Sequence, residues 1–227
     1  MSDFATSLAQ VQGQIDQACQ QAGRVRQSVN LLAVSKIHPA ESIAAFYQLG
    51  QHAFGENYLQ EALEKIEQLQ DLAIEWHFIG HVQRNKTKHL AEKFAWVHGV
   101  DRLIIAERLS NQRPEHVGPL NICLQVNIDG QESKDGCVLN EVADLVEKIS
   151  RLPNIHLRGL MVIPKPEHVQ AFAMTKQLFD QVKQYHAQPE LWDTLSMGMS
   201  ADMAEAIEAG STMVRVGTAL FGARDYS

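Results

Sequence analysis

One lysine stands where a strand of a parallel sheet would end. Lys36 follows the mostly apolar run Leu32-Ala33-Val34-Ser35. Side chains alternate between the two faces of a strand, so Leu32, Val34 and Lys36 share one face. If that face lines a barrel, the Lys36 amine projects into the mouth, where partial desolvation lowers its pKa and supplies the neutral amine of Schiff-base chemistry. From its position alone, a lysine holding its amine in water is the more common case.

Two loops near the end of the chain carry residue types that bind phosphate. Ser200 precedes a predicted helix that ends at Gly210, and as the N-cap it would add a hydroxyl to the backbone N–H groups there. Gly217 and Thr218 follow the last predicted strand, where glycine lets backbone N–H groups come close to an anion. Capping and turn formation would also explain these residues. Their place after strands seven and eight of a barrel makes phosphate binding an equally good explanation.

Two further polar positions, Arg215 and Asn57, are candidates for a site, whereas a pair of histidines is not. Arg215 interrupts an apolar strand and faces the opposite side from its two valine neighbours, so a buried guanidinium there needs a ligand or a structural carboxylate as its acceptor. Asn57 follows the second predicted strand and can reach the same mouth. His77 and His81 are four residues apart, but they straddle a junction between strand and loop, which does not favour a zinc site.

The elements that must position these residues alternate regularly from residue 29 to the end. Each apolar run except the last is followed by a helical pattern, including one over 169–182, and an extra amphipathic helix precedes residue 24. The eight predicted strands are 31–35, 52–55, 76–80, 94–98, 120–126, 155–161, 194–197 and 213–217.

This alternation predicts an α/β fold with parallel strands and right-handed crossovers. A doubly wound open sheet is the alternative. Eight regular units within 227 residues, with no G-x-G-x-x-G after the first strand, favour a single (β/α)₈ TIM-type barrel. We expect one domain over 1–227, with the helix of 1–24 packed on the barrel.

Composition excludes several classes of function. The formal net charge of −7 and the lack of a long basic run argue against nucleic acid as a partner. No apolar stretch approaches the ~20 residues needed to span a membrane, and the first residues do not form a secretion signal. Cys19, Cys123 and Cys137 are widely spaced and odd in number, which indicates reduced thiols. We therefore expect a cytoplasmic protein with no membrane or nucleic-acid partner.

With their flanking residues, the candidate positions resemble the pyridoxal phosphate homeostasis protein family. The matching segments occur in the family's order over nearly the whole chain. They include Ala33-Val34-Ser35-Lys36, Phe54-Gly55-Glu56-Asn57-Tyr58, His77-Phe78-Ile79-Gly80-His81, Leu195-Ser196-Met197-Gly198-Met199-Ser200-Ala201-Asp202 and Val214-Arg215-Val216-Gly217-Thr218.

The resemblance implies a barrel similar to the N-terminal domain of alanine racemase, with pyridoxal 5′-phosphate (PLP) held by Lys36 as a Schiff base. By match to the family's motifs, Ser200, Gly217 and Thr218 would hold the phosphate. Arg215 would face the pyridine nitrogen, and Asn57 would lie near the ring.

The implied function is intracellular homeostasis of PLP, a form of vitamin B6, by buffering or by delivery to PLP-dependent apo-enzymes, with effects on amino-acid and keto-acid balance. Family resemblance and the lack of a partner domain favour a monomer.

Carrier and catalyst remain alternative functions. A permanently charged Arg215 at the ring nitrogen disfavours its protonation and weakens carbanion stabilisation. Racemases of this barrel type tolerate this weaker stabilisation, but they also need a second base from an added C-terminal domain, and the chain ends soon after the eighth strand without one. We therefore expect a carrier without conventional turnover. A PLP-dependent amino-acid racemase that uses Lys36 is the alternative, and a barrel enzyme for another phosphorylated metabolite is a third interpretation.

Overall fold

Eight parallel strands close into a barrel in the computed structural model, which describes residues 2–131, 134–168 and 170–222. Neighbouring strands pair in chain order, and the last strand pairs with the first, with Asn30 opposite Met213 and Ala33 opposite Val216. The closed barrel confirms the predicted fold class and excludes the open sheet. The strands are β1 (Asn30–Val34), β2 (Ala53–Glu56), β3 (Glu75–Phe78), β4 (Trp96–Val100), β5 (Leu120–Gln125), β6 (Ile155–Met161), β7 (Thr194–Ser196) and β8 (Met213–Val216).

Helices follow the strands and surround the barrel. Residue 169, where the predicted seventh helix begins, lies outside the described residues. The helices are α1 (Ser2–Gln21), α2 (Ala40–Gln48), α3 (Leu59–Gln68), α4 (Thr87–Lys93), α5 (Leu103–Gln112), α6 (Val142–Ile149), α7 (Ala171–Val182), α8 (Met203–Glu208) and α9 (Thr218–Phe221).

Two sequence predictions about helix ends are wrong. Ser200 is not the N-cap of α8, because the chain between Gly198 and Asp202 is a turn and the helix begins at Met203. The Asp202 carboxylate instead accepts the Met199 N–H at 2.6 Å, which closes that turn. The last strand is also followed by a helix, since α9 forms one turn directly after Gly217.

The fourth strand begins later than its apolar run suggests. Phe94, the predicted first residue, still belongs to the end of α4, and its N–H donates to the Leu90 carbonyl at 3.2 Å. β4 therefore begins at Trp96 and continues to Val100. Apolar character alone does not separate a buried helix end from a strand, which accounts for the two-residue displacement.

Most of the hydrophobic core lies between the strands and the helices, where strand residues such as Ala33, Phe54 and Val97 are buried. The N-terminal helix α1 packs on this layer. The Phe4 ring lies 4.8 Å from the Phe46 ring of α2, and the Ser7 hydroxyl donates to the Leu220 carbonyl of α9 at 2.8 Å. The helix thus covers the place where the first and last units of the barrel meet.

Two further findings concern the cysteines and the helices. Cys19, Cys123 and Cys137 are buried and form no disulfide with one another. Within the described part of the chain, no helix has both the length and the apolar character that crossing a bilayer requires.

Candidate functional site

A cavity of about 300 Å³ opens where the carboxyl ends of the strands meet. All six residues proposed from the sequence line it, although they come from the ends of four units of the barrel. This end of a barrel is where loops carry binding and catalytic groups. The lining residues are Val34, Lys36, Asn57, Ile79, Ile163, Met199, Ser200, Ala201, Arg215, Gly217 and Thr218.

A larger cavity, of about 500 Å³, lies at the opposite end of the barrel among the first residues of the strands. Asn30, Glu75, Trp96 and Arg158 are among its lining residues. Size therefore favours this cavity, whereas chemistry favours the smaller one. We take the smaller cavity as the site, because it combines a lysine, a buried guanidinium and two loops with exposed backbone at the functional end of the fold.

Lys36 occupies the position that strand alternation predicts. It directly follows β1, is half-buried, and lines the cavity together with Val34, two residues earlier on the same face. Its amine therefore belongs to the cavity wall and not to the outer surface of the barrel. An amine in a partly desolvated pocket is suited to covalent chemistry with a carbonyl group.

A buried lysine, which the sequence reasoning missed, fixes the backbone just before Lys36. The Lys65 ammonium of α3 donates to the Ser35 carbonyl at 2.9 Å and to the Glu56 carboxylate at 2.9 Å. The Glu56 side chain is 0% exposed and also accepts the Ser35 hydroxyl at 2.6 Å. Burial raises the pKa of Glu56, while the neighbouring Lys65 and the hydroxyl of Ser35 oppose that rise.

The same lysine is linked to the residue just after Lys36. Ile37 has a φ of 70°, which is unfavourable for a β-branched side chain. Its N–H donates to the Glu61 carboxylate at 2.6 Å, and Glu61 in turn accepts Lys65 at 2.5 Å. Such strain costs on the order of 1–3 kcal/mol and persists only where surrounding contacts enforce it. Lys65 and its partners therefore hold the backbone on both sides of Lys36.

Arg215 is 4% exposed and points into the barrel, as its alternation in the strand predicts. Its guanidinium donates to the Ser196 hydroxyl at 2.8 Å and to the Val162 carbonyl at 2.9 Å. Within the described residues it makes no ion pair with a carboxylate. Burial lowers the pKa of Arg215 to about 10, against the opposing influence of Asp202 and Cys123. The group therefore stays charged at neutral pH.

Asn57 presents an unsatisfied acceptor at the same cavity. Its side-chain oxygen is buried, and no donor from the described residues reaches it. A buried polar atom without a hydrogen bond costs about 1–3 kcal/mol, and such atoms in native proteins point to a missing ligand or water. This oxygen indicates that the cavity accommodates a polar molecule.

The two loops proposed for phosphate lie together at the cavity. Ser200 belongs to the turn between β7 and α8, and Gly217 and Thr218 form the start of α9. The first N–H groups of a helix have no partner within it, so they can donate to an anion. A β-carbon on Gly217 would lie 3.3 Å from the Val34 carbonyl, so glycine permits close packing of this loop on β1.

The other candidates of the sequence separate in space. His77 lies inside the barrel, whereas His81 pairs with the Asp135 carboxylate at 3.0 Å on the surface. Ile79, Ile163 and Met199 form a hydrophobic part of the cavity. Its signal in the sequence was available, because each of these residues follows a strand end.

Comparisons with known proteins agree with this geometry. The family model for the N-terminal domain of alanine racemase matches residues 7–225. The solved alanine racemase of Corynebacterium glutamicum is 16% identical with a TM-score of 0.70, over 100% of this chain and 62% of that chain, a similarity that concerns the fold alone. The fold and site therefore define a barrel of the alanine racemase N-terminal domain class.

Similarity to full-length relatives is much higher. The pyridoxal phosphate homeostasis protein of Pasteurella multocida (strain Pm70) is 52% identical over 228 residues, which cover 97% of each chain. The solved structure of PipY from Synechococcus elongatus PCC7942, with PLP bound, is 36% identical with a TM-score of 0.83, over 96% of this chain and 100% of that one. The chain belongs to the pyridoxal phosphate homeostasis protein family, which confirms the resemblance identified from its motifs.

Proposed function

We propose that this protein binds PLP as a Schiff base on Lys36 and serves intracellular PLP homeostasis. The observation that carries the proposal is the meeting of Lys36, Arg215 and the two phosphate-type loops on one cavity. A family member of known structure has PLP bound, and the curated relatives are PLP homeostasis proteins. The buried, unpaired oxygen of Asn57 supports the fit of a polar ligand.

Each residue has a defined role in this proposal. Ser200, Gly217 and Thr218 bind the phosphate through a hydroxyl and backbone N–H groups. Arg215 faces the pyridine nitrogen, and Asn57 contacts the ring or its substituents. Bound PLP supplies an aldehyde for the lysine and a ring that withdraws electrons. The charged guanidinium disfavours a proton on the ring nitrogen, which weakens that electron withdrawal.

Weak electron withdrawal is compatible with a carrier. We propose that the whole chain acts as one PLP-binding domain, that it buffers the cofactor or delivers it to PLP-dependent apo-enzymes, and that it works as a monomer in the cytoplasm. Its three buried, unpaired cysteines are compatible with a reducing compartment. A racemase-type enzyme that uses Lys36 remains the second candidate, supported by the alanine racemase fold.

The test is the visible absorption spectrum of the purified protein with added PLP. We expect a Schiff-base band that borohydride removes, with a pyridoxyl group on the peptide that contains Lys36 and no band in Lys36→Ala. The absence of a band in the wild type, or an unchanged band in the variant, would refute the proposal. Sustained interconversion of single amino-acid enantiomers by the loaded protein would instead support the enzyme.

A further inference from the structure

A line of polar side chains crosses the interior of the barrel from the proposed PLP site to the opposite end. The Arg215 guanidinium contacts the Ser196 hydroxyl at 2.8 Å, and that hydroxyl lies 2.9 Å from Nδ1 of His98. Nε2 of His98 lies 3.0 Å from Nδ1 of His77, whose Nε2 lies 2.8 Å from the Glu75 carboxylate. The three middle side chains are fully buried.

The two ends of this line determine the direction of every hydrogen bond in it. Arg215 can only donate and an ionised Glu75 can only accept. Burial lowers the pKa of His98 well below its usual value, and the nearby charges of His77 and Arg215 act in the same direction. The hydrogen bond from His77 lowers the pKa of Glu75, against the effect of burial. A neutral His98 and an ionised carboxylate follow.

With both imidazoles neutral, only one arrangement of protons satisfies every pair. Ser196 accepts from Arg215 and donates its hydroxyl proton to Nδ1 of His98. Nδ1 is therefore unprotonated, and Nε2–H of His98 donates to Nδ1 of His77. Burial also lowers the pKa of His77, although Glu75 opposes this. His77 therefore carries its proton on Nε2, and this N–H donates a hydrogen bond to the Glu75 carboxylate. Both imidazoles are neutral Nε2–H tautomers, and each ring transmits the polarity of its neighbours.

We propose that Glu75 is a positioning residue for Arg215, acting through the two histidines and Ser196. Through this line, Glu75 orients the Arg215 guanidinium toward the cavity, and its negative charge at the far end of the barrel partly compensates the positive charge of Arg215. This inference rests on the proposed function, in which that guanidinium faces the ring nitrogen. The structure gives Arg215 no adjacent carboxylate among the described residues, so the line to Glu75 takes the place of a direct ion pair.

The outer end of the line is accessible. The Glu75 side chain is 51% exposed and belongs to the larger cavity at the amino ends of the strands. Arg158 is the cation that faces it, and Arg158 is itself paired with the Asp193 carboxylate at 2.6 Å. The His77 ring stacks on Trp96 at 5.3 Å, which fixes the ring plane. A continuous series of hydrogen bonds therefore connects the Glu75 carboxylate at this end of the barrel to Arg215.

The first experiment reads the tautomers in the cofactor-free, full-length protein. Long-range ¹H–¹⁵N correlation spectra of histidine-labelled protein distinguish Nε2–H from Nδ1–H and from the charged ring. We expect the neutral Nε2–H pattern for both His77 and His98 at neutral pH. A charged ring or an Nδ1–H tautomer at either position would overturn the proposal.

The second experiment removes the terminal charge. Glu75→Gln keeps an acceptor for His77 but loses the negative charge, so we expect both tautomers to persist while the ring nitrogens of His98 and the guanidinium signals of Arg215 shift. Asp144→Asn is the control, because it removes an exposed carboxylate that pairs with Lys148 and takes no part in the line or in the Arg158 pair beside it. Unchanged His98 and Arg215 signals in Glu75→Gln would contradict the proposal.

The third experiment cuts the line at His98 in two ways. Asn places its oxygen near the position of Nδ1 and can still accept from Ser196, whereas Gln places its NH₂ near Nε2 and can donate only toward His77. We expect both variants to bind PLP more weakly than the wild type, and His98→Asn, which keeps the acceptor for Ser196, to lose about fivefold less affinity than His98→Gln, the value of one hydrogen bond between neutral groups. Equal affinities in two folded variants would refute the positioning role.

The three measurements separate this inference from the proposed function. The NMR spectra need no cofactor, so they decide the tautomers and the effect of Glu75 even if no PLP band forms in the wild type. If the two His98 variants fail to fold, the wild-type tautomers and the comparison of Glu75→Gln with Asp144→Asn still decide the question.

Discussion

Replacing Lys65 with methionine is predicted to destabilise the fold more than any exposed lysine replacement. Methionine keeps most of the side-chain volume but removes the ammonium that contacts Ser35, Glu56 and Glu61. The Glu56 carboxylate, which is fully buried, then retains the Ser35 hydroxyl as its one hydrogen-bond partner among the described residues. An unpaired buried charge, and not the loss of packing, dominates the expected change.

The magnitude follows from the ways in which the carboxylate can respond. Removing one partner of a buried ion pair costs ~3–5 kcal/mol. Glu56 can avoid the charge by taking up a proton, which at pH 7 costs about 3.7 kcal/mol, since an unfolded glutamate has a pKa of about 4.3 and each pH unit is worth ~1.4 kcal/mol. The expected loss at pH 7 is therefore roughly 3–4 kcal/mol, a substantial part of the 5–15 kcal/mol typical of domains.

The pH dependence gives this prediction a definite sign. A glutamate whose pKa is raised in the folded state binds a proton that the unfolded state releases, so its unfavourable effect grows as pH rises above the unfolded pKa. The deficit of Lys65→Met relative to wild type should thus shrink by up to ~1.4 kcal/mol for each unit of pH lowered, until the pH reaches the raised pKa that Glu56 already has in the wild type. Below that pH both folded proteins hold the proton, and the deficit stays constant.

Urea unfolding followed by circular dichroism at several pH values measures this deficit, and borohydride trapping measures attachment of PLP to Lys36. Lys148→Met is the matched control, because Lys148 forms an exposed i,i+4 pair with Asp144 that is worth only about 0.3–0.5 kcal/mol. A loss under about 1 kcal/mol for Lys65→Met, or a deficit that does not vary with pH, would show that the reasoning about Glu56 is wrong.

Three other substitutions test separate parts of the structure. Asn57→Ala removes a buried acceptor that has no partner among the described residues. The free energy of unfolding should therefore change little, while the dissociation constant for PLP should rise about tenfold. A large loss of stability in the absence of PLP would contradict this. Gly217→Ala brings a β-carbon to 3.3 Å from the Val34 carbonyl, so it should weaken phosphate binding by this loop. Competition between inorganic phosphate and PLP measures the effect. Unchanged competition in the variant would contradict the assignment of this loop to phosphate. Burial opposes ionisation of Asp129, but hydrogen bonds, led by one from His168, outweigh it and lower the pKa of Asp129 to about 2. Asp129→Asn should therefore reduce the free energy of unfolding by roughly 1–3 kcal/mol above pH ~4, and the difference from wild type should fade as pH falls toward ~2. A difference that persists at pH ~2 in acid titrations would contradict this.

The predictable part of the fold came from local pattern. Apolar runs alternating with amphipathic segments predicted eight strands, and closure followed from their number and regularity. Lys36 and Arg215 were placed correctly because alternation along a strand assigns each side chain to one face. Helix ends were harder, since Ser200 has the composition of an N-cap but the chain forms a turn that Asp202 closes three residues later.

The contacts around the site could not be predicted because they join distant positions. Lys65 has the spacing of an exposed residue on α3, and nothing local indicates that its ammonium reaches the ends of β1 and β2. His98 and Ser196 are nearly one hundred residues apart in the chain, and only closure of the barrel brings them together. His98 and Ser196 did leave a signal in the sequence, because each is a polar residue on the inward face of an apolar strand.

The interior of this barrel and the layer between strands and helices have different roles: the outer layer holds most of the apolar core, and the interior holds the polar line. The main hydrophobic core lies between strands and helices, while Trp96, Cys123 and Met161 form a separate, smaller apolar cluster. Stability from apolar burial therefore resides mainly outside the barrel wall, which leaves interior positions open to polar residues. Those residues must satisfy one another completely, because each unpaired group would cost as much as a lost core contact. That requirement links an arginine at the proposed PLP site to a carboxylate at the other end of the barrel.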